Sequence, residues 1–233
     1  MYSFTGSECI MDKEKVANQW DKVYDDFRGG RLSVWRETAS PFITEKFEFL
    51  KRQGRIKMLD AGCGDGRNLI ELAEAGFDVT GVDVSDSALR KCEKNCSDFP
   101  DVRLKKMSLE KLDLKEGEFD VVACDFVTAH LENPGKVIEN FYRVLKKGGF
   151  LLIEFTSTDD PHCGQGERIG ENEFLQDGAY LRFYMRADVE KLMRKFKIIS
   201  IDSYGYTDPD HGPGYHRKER HNHHSFFVFA RKK

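Results

Sequence analysis

Apolar residues in this chain fall into two rhythms, short unbroken runs and stripes repeating every three to four positions, with glycine-rich joints between them. Met58 and Leu59 open a short strand that runs into Asp60, Ala61 and the glycines Gly62, Gly64 and Gly66. Leu69, Ile70, Leu72 and Ala73 then repeat at helical spacing, and Phe77 to Val82 reads as a second strand closed by Asp83. The stretch is a β-turn-α-β unit. Ser85 predicts an N-cap for a helix through Ala88, Leu89 and Cys92, and residues 101–105 a short third strand. Residues 118–125 form an almost continuous apolar run, the pattern of a central strand buried on both faces. Val137, Ile138, Phe141, Tyr142, Val144 and Leu145 draw a helix over 134–147 that ends in Lys146, Lys147, Gly148 and Gly149, and residues 150–155 form a fifth strand.

The flanks are organised differently. Residues 1 to about 12 read as a loose tail. Val16, Trp20, Val23, Tyr24 and Phe27 lie on one helix face that Gly29 and Gly30 terminate. A loop bearing Trp35 and Arg36 leads to Ser40 and Pro41, an N-cap and first helical residue, and Phe42, Ile43, Phe47 and Leu50 mark a second helix up to Gly54. Residues 156–181 show no periodicity and predict a long loop with a short element near 174–183, a length at which loops are usually functional. Val189, Leu192, Met193 and Phe196 define a further helix, residues 197–204 a strand, and Phe226 to Ala230 the last strand.

At 233 residues the chain suits one domain with appendages, and its net charge of -3 gives no global bias toward nucleic acid or an anionic membrane. The six cysteines form no C-x-x-C pair, which fits free thiols in a reducing compartment. No signal-like segment opens the chain and no run of eighteen apolar residues occurs, so a soluble, cytoplasmic protein is expected. Eighteen phenylalanines are many, and several stand in the flanking segments, consistent with a lined pocket as well as with a core.

The glycine turn carries the candidate chemistry. Glycines there permit positive φ and let a ligand approach backbone N–H groups at a helix N-terminus, while an acidic residue ending the second strand can accept bonds from ribose hydroxyls. A dinucleotide fingerprint is G-x-G-x-x-G; here the third glycine comes one residue early, which disfavours a nicotinamide oxidoreductase and leaves it as one alternative. The run LDAGCGDGRN, residues 59–68, with Asp83 at its distance downstream, resembles the first motif of the S-adenosylmethionine (SAM) dependent methyltransferases with a Rossmann-like fold. The run FYRVLKKGGFLLI, residues 141–153, is similar to the same family, and the likeness extends over residues 56 to about 156.

The resemblance implies an α/β fold, a doubly wound, mostly parallel seven-stranded sheet with its last strand antiparallel and an N-terminal helical cap. Residues 1–54 would form the cap or lid and 55–233 the SAM-binding domain, with 156–184 and 207–224 as loops on the acceptor side. It implies SAM as cofactor, S-adenosylhomocysteine as product, and cofactor contacts at Trp20, Asp60, Gly62, Gly64, Asp83, Val84, Ser108, Leu109 and Asp125. Asp60 would sit near the methionyl ammonium, and Trp20, Asp21 and Tyr24 are similar to a lid segment of the family. Ser108 departs from the pattern, since many members carry an Asp there for the adenine amino group.

Five of the seven histidines, His211, His216, His221, His223 and His224, fall within fourteen residues. Clustered imidazoles can bind a transition metal, but this spacing matches no familiar site and no metal ligand is assigned from it. The ending HNHHSFFVFARK resembles small methyltransferases of the tellurite-resistance and thiopurine type, which implies that one or two of His216, His221 and His224 reach an acceptor; a solvated turn is the plain alternative. Methyl transfer to a small-molecule nucleophile, a thiol or other chalcogen among them, is the expected reaction, with His130, His162 and His224 as candidate proton acceptors. A small-molecule partner is expected, with no membrane and no nucleic-acid partner, and the sequence is silent on oligomeric state. A methyltransferase acting on RNA or protein, and a metal-binding protein using the His-rich turn, remain open alternatives.

Overall fold

The computed structural model describes residues 13–26, 38–176, 178–208 and 220–233. Expectations that fall on residues 1–12, Phe27, Gly29, Gly30, Trp35, Arg36, His211 and His216 lie outside the described residues. In chain order the elements are α1 (Lys13–Asp26), α2 (Pro41–Thr44), α3 (Phe47–Arg52), β1 (Lys57–Ala61), α4 (Arg67–Glu74), β2 (Asp78–Asp83), α5 (Asp86–Asn95), β3 (Arg103–Lys106), β4 (Phe119–Cys124), α6 (Pro134–Val144) and β5 (Leu145–Thr156). There follow β6 (Glu167–Gly170), β7 (Glu173–Gln176), β8 (Ala179–Arg182), α7 (Arg186–Leu192), β9 (Phe196–Asp208) and β10 (His221–Lys232).

Seven strands form one sheet in the order β3-β2-β1-β4-β5-β10-β9. The pairs β2–β3, β1–β2, β1–β4 and β4–β5 are parallel, and β10 runs antiparallel to both β5 and β9, so the final strand alone is reversed. The order turns back at β1 and β4, the point at which an open α/β sheet leaves a crevice beyond the strand ends. Because side chains alternate along a strand, each central strand feeds two cores. Leu59, Val122, Leu151, Ile153 and Val228 pack on one face with Val137, Phe141 and Val189, while Met58, Val121, Phe150, Leu152 and Phe227 pack on the other with Ile43, Leu50, Leu69 and Leu72. The almost continuous apolar reading of residues 118–125 has this origin, and all six residues of β4 are buried.

Several local expectations are corrected. The helix predicted up to Gly54 is two short helices joined where the Lys46 N–H bonds the Ile43 carbonyl, a tightened turn. Ser40 is its N-cap through the backbone carbonyl, which accepts from Ile43 at 2.9 Å, without a side-chain cap. Ser85 does cap α5, its Oγ accepting from the Ala88 N–H at 3.0 Å. The helix over 134–147 stops at Val144, and the double glycine belongs to the entry of β5, where Gly148 has φ +72°. Residues 156–184 are more ordered than a loop: β6, β7 and β8 make a small antiparallel sheet. Strands of four residues are too short for their alternation to stand out among glycines and charges, yet Phe174, Leu181 and Phe183 pack with Ala129 just beyond β4. The hairpin of β9 and β10 is also longer than its apolar pattern, reaching out to Asp208 and back to His221. No helix among the described residues is long and apolar enough to cross a membrane.

Candidate functional site

A cavity of about 760 Å³ lies beyond the ends of β1, β2 and β4, walled by α1 on one side and by the β9–β10 hairpin on another. Its first end is the glycine turn. Gly62, Gly64 and Gly66 have φ of +81°, +54° and +94°, a region that side chains other than glycine rarely adopt. A Cβ on Gly62 would stand 2.4 Å from Val127, one on Gly64 2.4 Å from the Tyr24 hydroxyl, and one on Gly66 2.7 Å from Cys92 of α5. The first two keep the backbone open toward the cavity and α1. The third lets α5 pack.

Asp83 closes this turn. Its Oδ2 accepts from the Gly64 N–H at 3.0 Å and its Oδ1 from the Ser85 N–H at 3.0 Å. Burial pushes its pKa up against the opposing backbone bonds from Ser85, Gly64 and Val84. A carboxylate has about four lone-pair sites, so each oxygen keeps capacity for a ribose hydroxyl. Behind the turn lies Asp60, 1% exposed, whose Oδ2 has no hydrogen-bond partner among the described residues. Burial, with the neighbouring Asp125 charge adding to it and Arg67 opposing, raises its pKa to about 7. A buried acceptor left unpaired costs about 1–3 kcal/mol, and a ligand ammonium would satisfy it. Asp125 is held by Arg67 in a buried ion pair at 2.6 Å. The donor set, the orphaned Asp60 oxygen and the open glycines therefore fit a nucleoside bearing an amino-acid tail.

Trp20, Gly62, Gly64, Asp83, Val84, Ser108, Leu109 and Asp125 all line the cavity, and Asp60 lies just behind its wall. Ser108 spends its oxygen on a cap, accepting from the Glu110 N–H at 3.3 Å. The cap helix is fastened at one end: Asp21 accepts from the Ser85 hydroxyl at 2.6 Å and the Ser87 N–H at 2.9 Å. Partial burial pushes the Asp21 carboxyl up, and these bonds outweigh it and hold the pKa below its usual value. Across the cavity Trp20 meets His130 edge-on, with ring centroids 4.7 Å apart.

The opposite end gathers side chains from distant segments. His130 and His162 line the cavity, joined by Asp160, Tyr206, Asp208, His221 and His223. His130 Nδ1 donates to the Tyr180 carbonyl at 3.1 Å, which leaves the lone pair of the neutral ring on Nε2. Asp160 is 3% exposed and takes four donors: the His162 N–H at 2.8 Å, His162 Nδ1 at 3.0 Å, His223 Nδ1 at 2.8 Å and the His224 N–H at 3.0 Å. Burial alone would raise its pKa; the bonds from His162 and His223 prevail and hold the carboxyl well below the usual range.

His224 stands apart from the cavity lining, its Nδ1 2.6 Å from the Ser157 hydroxyl. The reason is strand alternation: within β10, His221 and His223 share a face, and His224 belongs to the other. Asp160 and Asp208 were not singled out by the sequence reading. The available signal was the H-x-H spacing at 221 and 223, which reads as two imidazoles on one face only once a strand is assigned there.

Residues 59–153 match the family described as the methyltransferase domain. The Bacillus subtilis protein YqeM, named as a methyltransferase, is 36% identical over 147 residues, covering 61% of this chain and 54% of its own length. The chain spans about half the length of the curated relatives it matches. Among solved structures, the 1,6-didemethyltoxoflavin-N1-methyltransferase of Burkholderia thailandensis, with 1,6-didemethyltoxoflavin and S-adenosylhomocysteine bound, superposes with a TM-score of 0.67 at 20% identity, over 98% of this chain and 93% of that one. TehB of Haemophilus influenzae superposes with a TM-score of 0.61 at 18% identity, over 82% of this chain and 62% of that one; both likenesses are of fold. Residues 59–153 thus match a methyltransferase domain, and the sheet order of the described residues is that of the fold shared with solved structures such as the SAM-dependent methyltransferase of Methanosarcina mazei, at a TM-score of 0.68 and 19% identity.

Proposed function

We propose that the protein transfers the methyl group of SAM to a small-molecule nucleophile taken up at the histidine-lined end of the cavity. The observation that carries this reading is a single cavity with the glycine turn and Asp83 at one end and His130, His162 and His223 at the other. When bound, SAM supplies an electrophilic methyl group on its sulfonium. Gly62 and Gly64 leave room for the methionyl backbone, Asp60 would take its ammonium, and Asp83 would take the ribose hydroxyls. With that electrophile supplied, the protein's task is alignment and exclusion of water, and orientation alone can supply about 7–11 kcal/mol of barrier lowering.

Trp20 and Tyr24 on α1 face the cavity and serve as its lid, pinned by Asp21 to the start of α5. His130 Nε2, left with the lone pair of the neutral ring by the Nδ1 bond to the Tyr180 carbonyl, is suited to receive a proton from a thiol acceptor. A thiol or other chalcogen is our preferred acceptor, because its reference pKa near 8.5 needs no stronger base than imidazole. The toxoflavin enzyme and its nitrogen acceptor share only the fold, so an amine acceptor is the competing outcome.

The decisive measurement is calorimetric titration with SAM and S-adenosylhomocysteine, followed by turnover over a panel of thiols, selenols, amines and carboxylates. Saturable binding and thiol-dependent formation of S-adenosylhomocysteine are expected. Absence of binding by either compound would overturn the assignment, and turnover confined to amines would move the acceptor class alone.

A further inference from the structure

Asp208, His221 and His223 converge at the end of the β9–β10 hairpin. His221 and Asp208 are direct cross-strand partners, and His223 lies two residues further along the same face of β10. One donor atom from each of the three lies within 4.8 Å of the others. The His221 and His223 rings have centroids 4.8 Å apart, and the His162 ring stands 5.5 Å from His221 and 5.1 Å from His223. His223 Nε2 is 3.6 Å from Asp208 Oδ2. That is long for a hydrogen bond. It is close to the roughly 3.4 Å that separates two ligands on a tetrahedral ion with bonds of about 2.1 Å.

What stands behind this face strengthens the point. Asp160, its side chain fully buried, accepts from Nδ1 of both His162 and His223. Those two bonds place the ring protons on Nδ1 and the lone pairs on Nε2, away from Asp160. A carboxylate that fixes a histidine tautomer from the far side is the arrangement that orients imidazoles for metals. Asp160 has four donors already and is an orienting group, whereas Asp208 pairs across the hairpin with His221 and faces Nε2 of His223.

We propose that His221, His223 and Asp208 bind a divalent first-row transition-metal ion at the acceptor end of the cavity, with Asp160 orienting His223 from behind and His162 beside the open position. Two imidazoles and one carboxylate are a donor set that suits zinc, iron(II), cobalt(II) or nickel(II) and leaves a position for an added ligand. Binding of the ion stands independently of the methyl-transfer reading. Its role rests on that reading: a thiol or other acidic acceptor taking the open position would be held as its anion, its proton passing to His130, facing the methyl donor.

The test uses the full chain after dialysis against a chelator, titrated with cobalt(II) chloride and followed by visible d–d absorption, with zinc(II) competition as a second readout. One cobalt per chain with the intense bands of a four- or five-coordinate site is expected. His221→Ala and Asp208→Asn are each expected to weaken cobalt affinity at least about 100-fold, and Asp160→Asn about 10–100-fold. Thermal melts of the metal-free variants check folding, and S-adenosylhomocysteine titration of the same samples reads the cofactor end separately. Failure of wild-type protein to bind cobalt stoichiometrically would overturn the proposal. So would wild-type affinity in a folded His221→Ala/His223→Ala double variant, which would move the binding to other histidines. Loss of S-adenosylhomocysteine binding with cobalt binding intact would instead count against the methyl-transfer reading.

Discussion

The two ends of the cavity are built on opposite plans. At the cofactor end, Asp60, Gly62, Gly64 and Asp83 fall within 24 residues of one β-turn-α-β unit, and backbone geometry does most of the shaping. At the acceptor end, Asp160 and His162 follow β5, Asp208 ends β9, and His221 and His223 open β10, so side chains separated by up to about 60 positions meet only through sheet pairing. The contrast is physical. A local unit is fixed by φ values and turn residues, whereas a remote cluster is fixed by register, where a slip of one residue would turn His221 and His223 to the other face.

Substitutions can separate the two plans. Gly62→Ala is expected to have the largest effect, since φ is +81° and the new Cβ would stand 2.4 Å from Val127. The left-handed conformation alone costs about 1–2 kcal/mol, and S-adenosylhomocysteine binding should fall below detection in calorimetry while cobalt binding persists. Asp83→Ala comes next: loss of charge-assisted bonds to ribose should weaken cofactor affinity by about 1–3 kcal/mol. Unchanged affinity would remove Asp83 from the site.

The pH dependence of cofactor binding is a finer probe of the same end. Burial, then the Asp125 charge, raises Asp60 from its ordinary value of 3.8 to about 7. The folded protein free of ligand therefore binds an extra proton between those values, and this contribution to stability is present at acid pH and lost as pH rises toward 7. A ligand ammonium favours the carboxylate, so cofactor binding below pH about 7 should release a proton and tighten with rising pH, by up to about tenfold per unit. Binding heats in buffers of different ionisation enthalpy check this; buffer-independent heats would disconnect Asp60 from the ligand.

The smallest expected effect concerns Glu154, which is fully buried on β5, accepts from Ser225 Oγ at 2.6 Å and Thr156 Oγ1 at 2.9 Å on one oxygen, and has no partner on the other among the described residues. Burial raises its pKa from 4.5 to about 8, so its ionisation costs stability progressively as pH rises through that window. Glu154→Gln should be close to neutral at pH 6 and raise the melting temperature by a few degrees at pH 9. An equal effect at both values would show that ionisation of Glu154 is not involved.

The amino-acid sequence determined the glycine turn, Asp83, the almost continuous apolar run of β4 and the count of strands in the main sheet, because each is written in neighbouring residues through φ preference, strand burial and spacing. Gly66 was legible as a motif member, and its contact with Cys92 was not. The short element expected near 174–183 is resolved into β7 and β8, while β6 and the three-stranded pairing escaped because four residues carry too little alternation, and the loop predicted over 207–224 lost its outer residues to a longer hairpin held by pairing rather than by apolar pattern. His224 looked equivalent to its neighbours until alternation along β10 sent it to Ser157 and sent His221 and His223 to the cavity. Tertiary structure alone decided that Asp160 would sit buried between two imidazoles, because a carboxylate keeps its charge there only where folding delivers four donors to it at once.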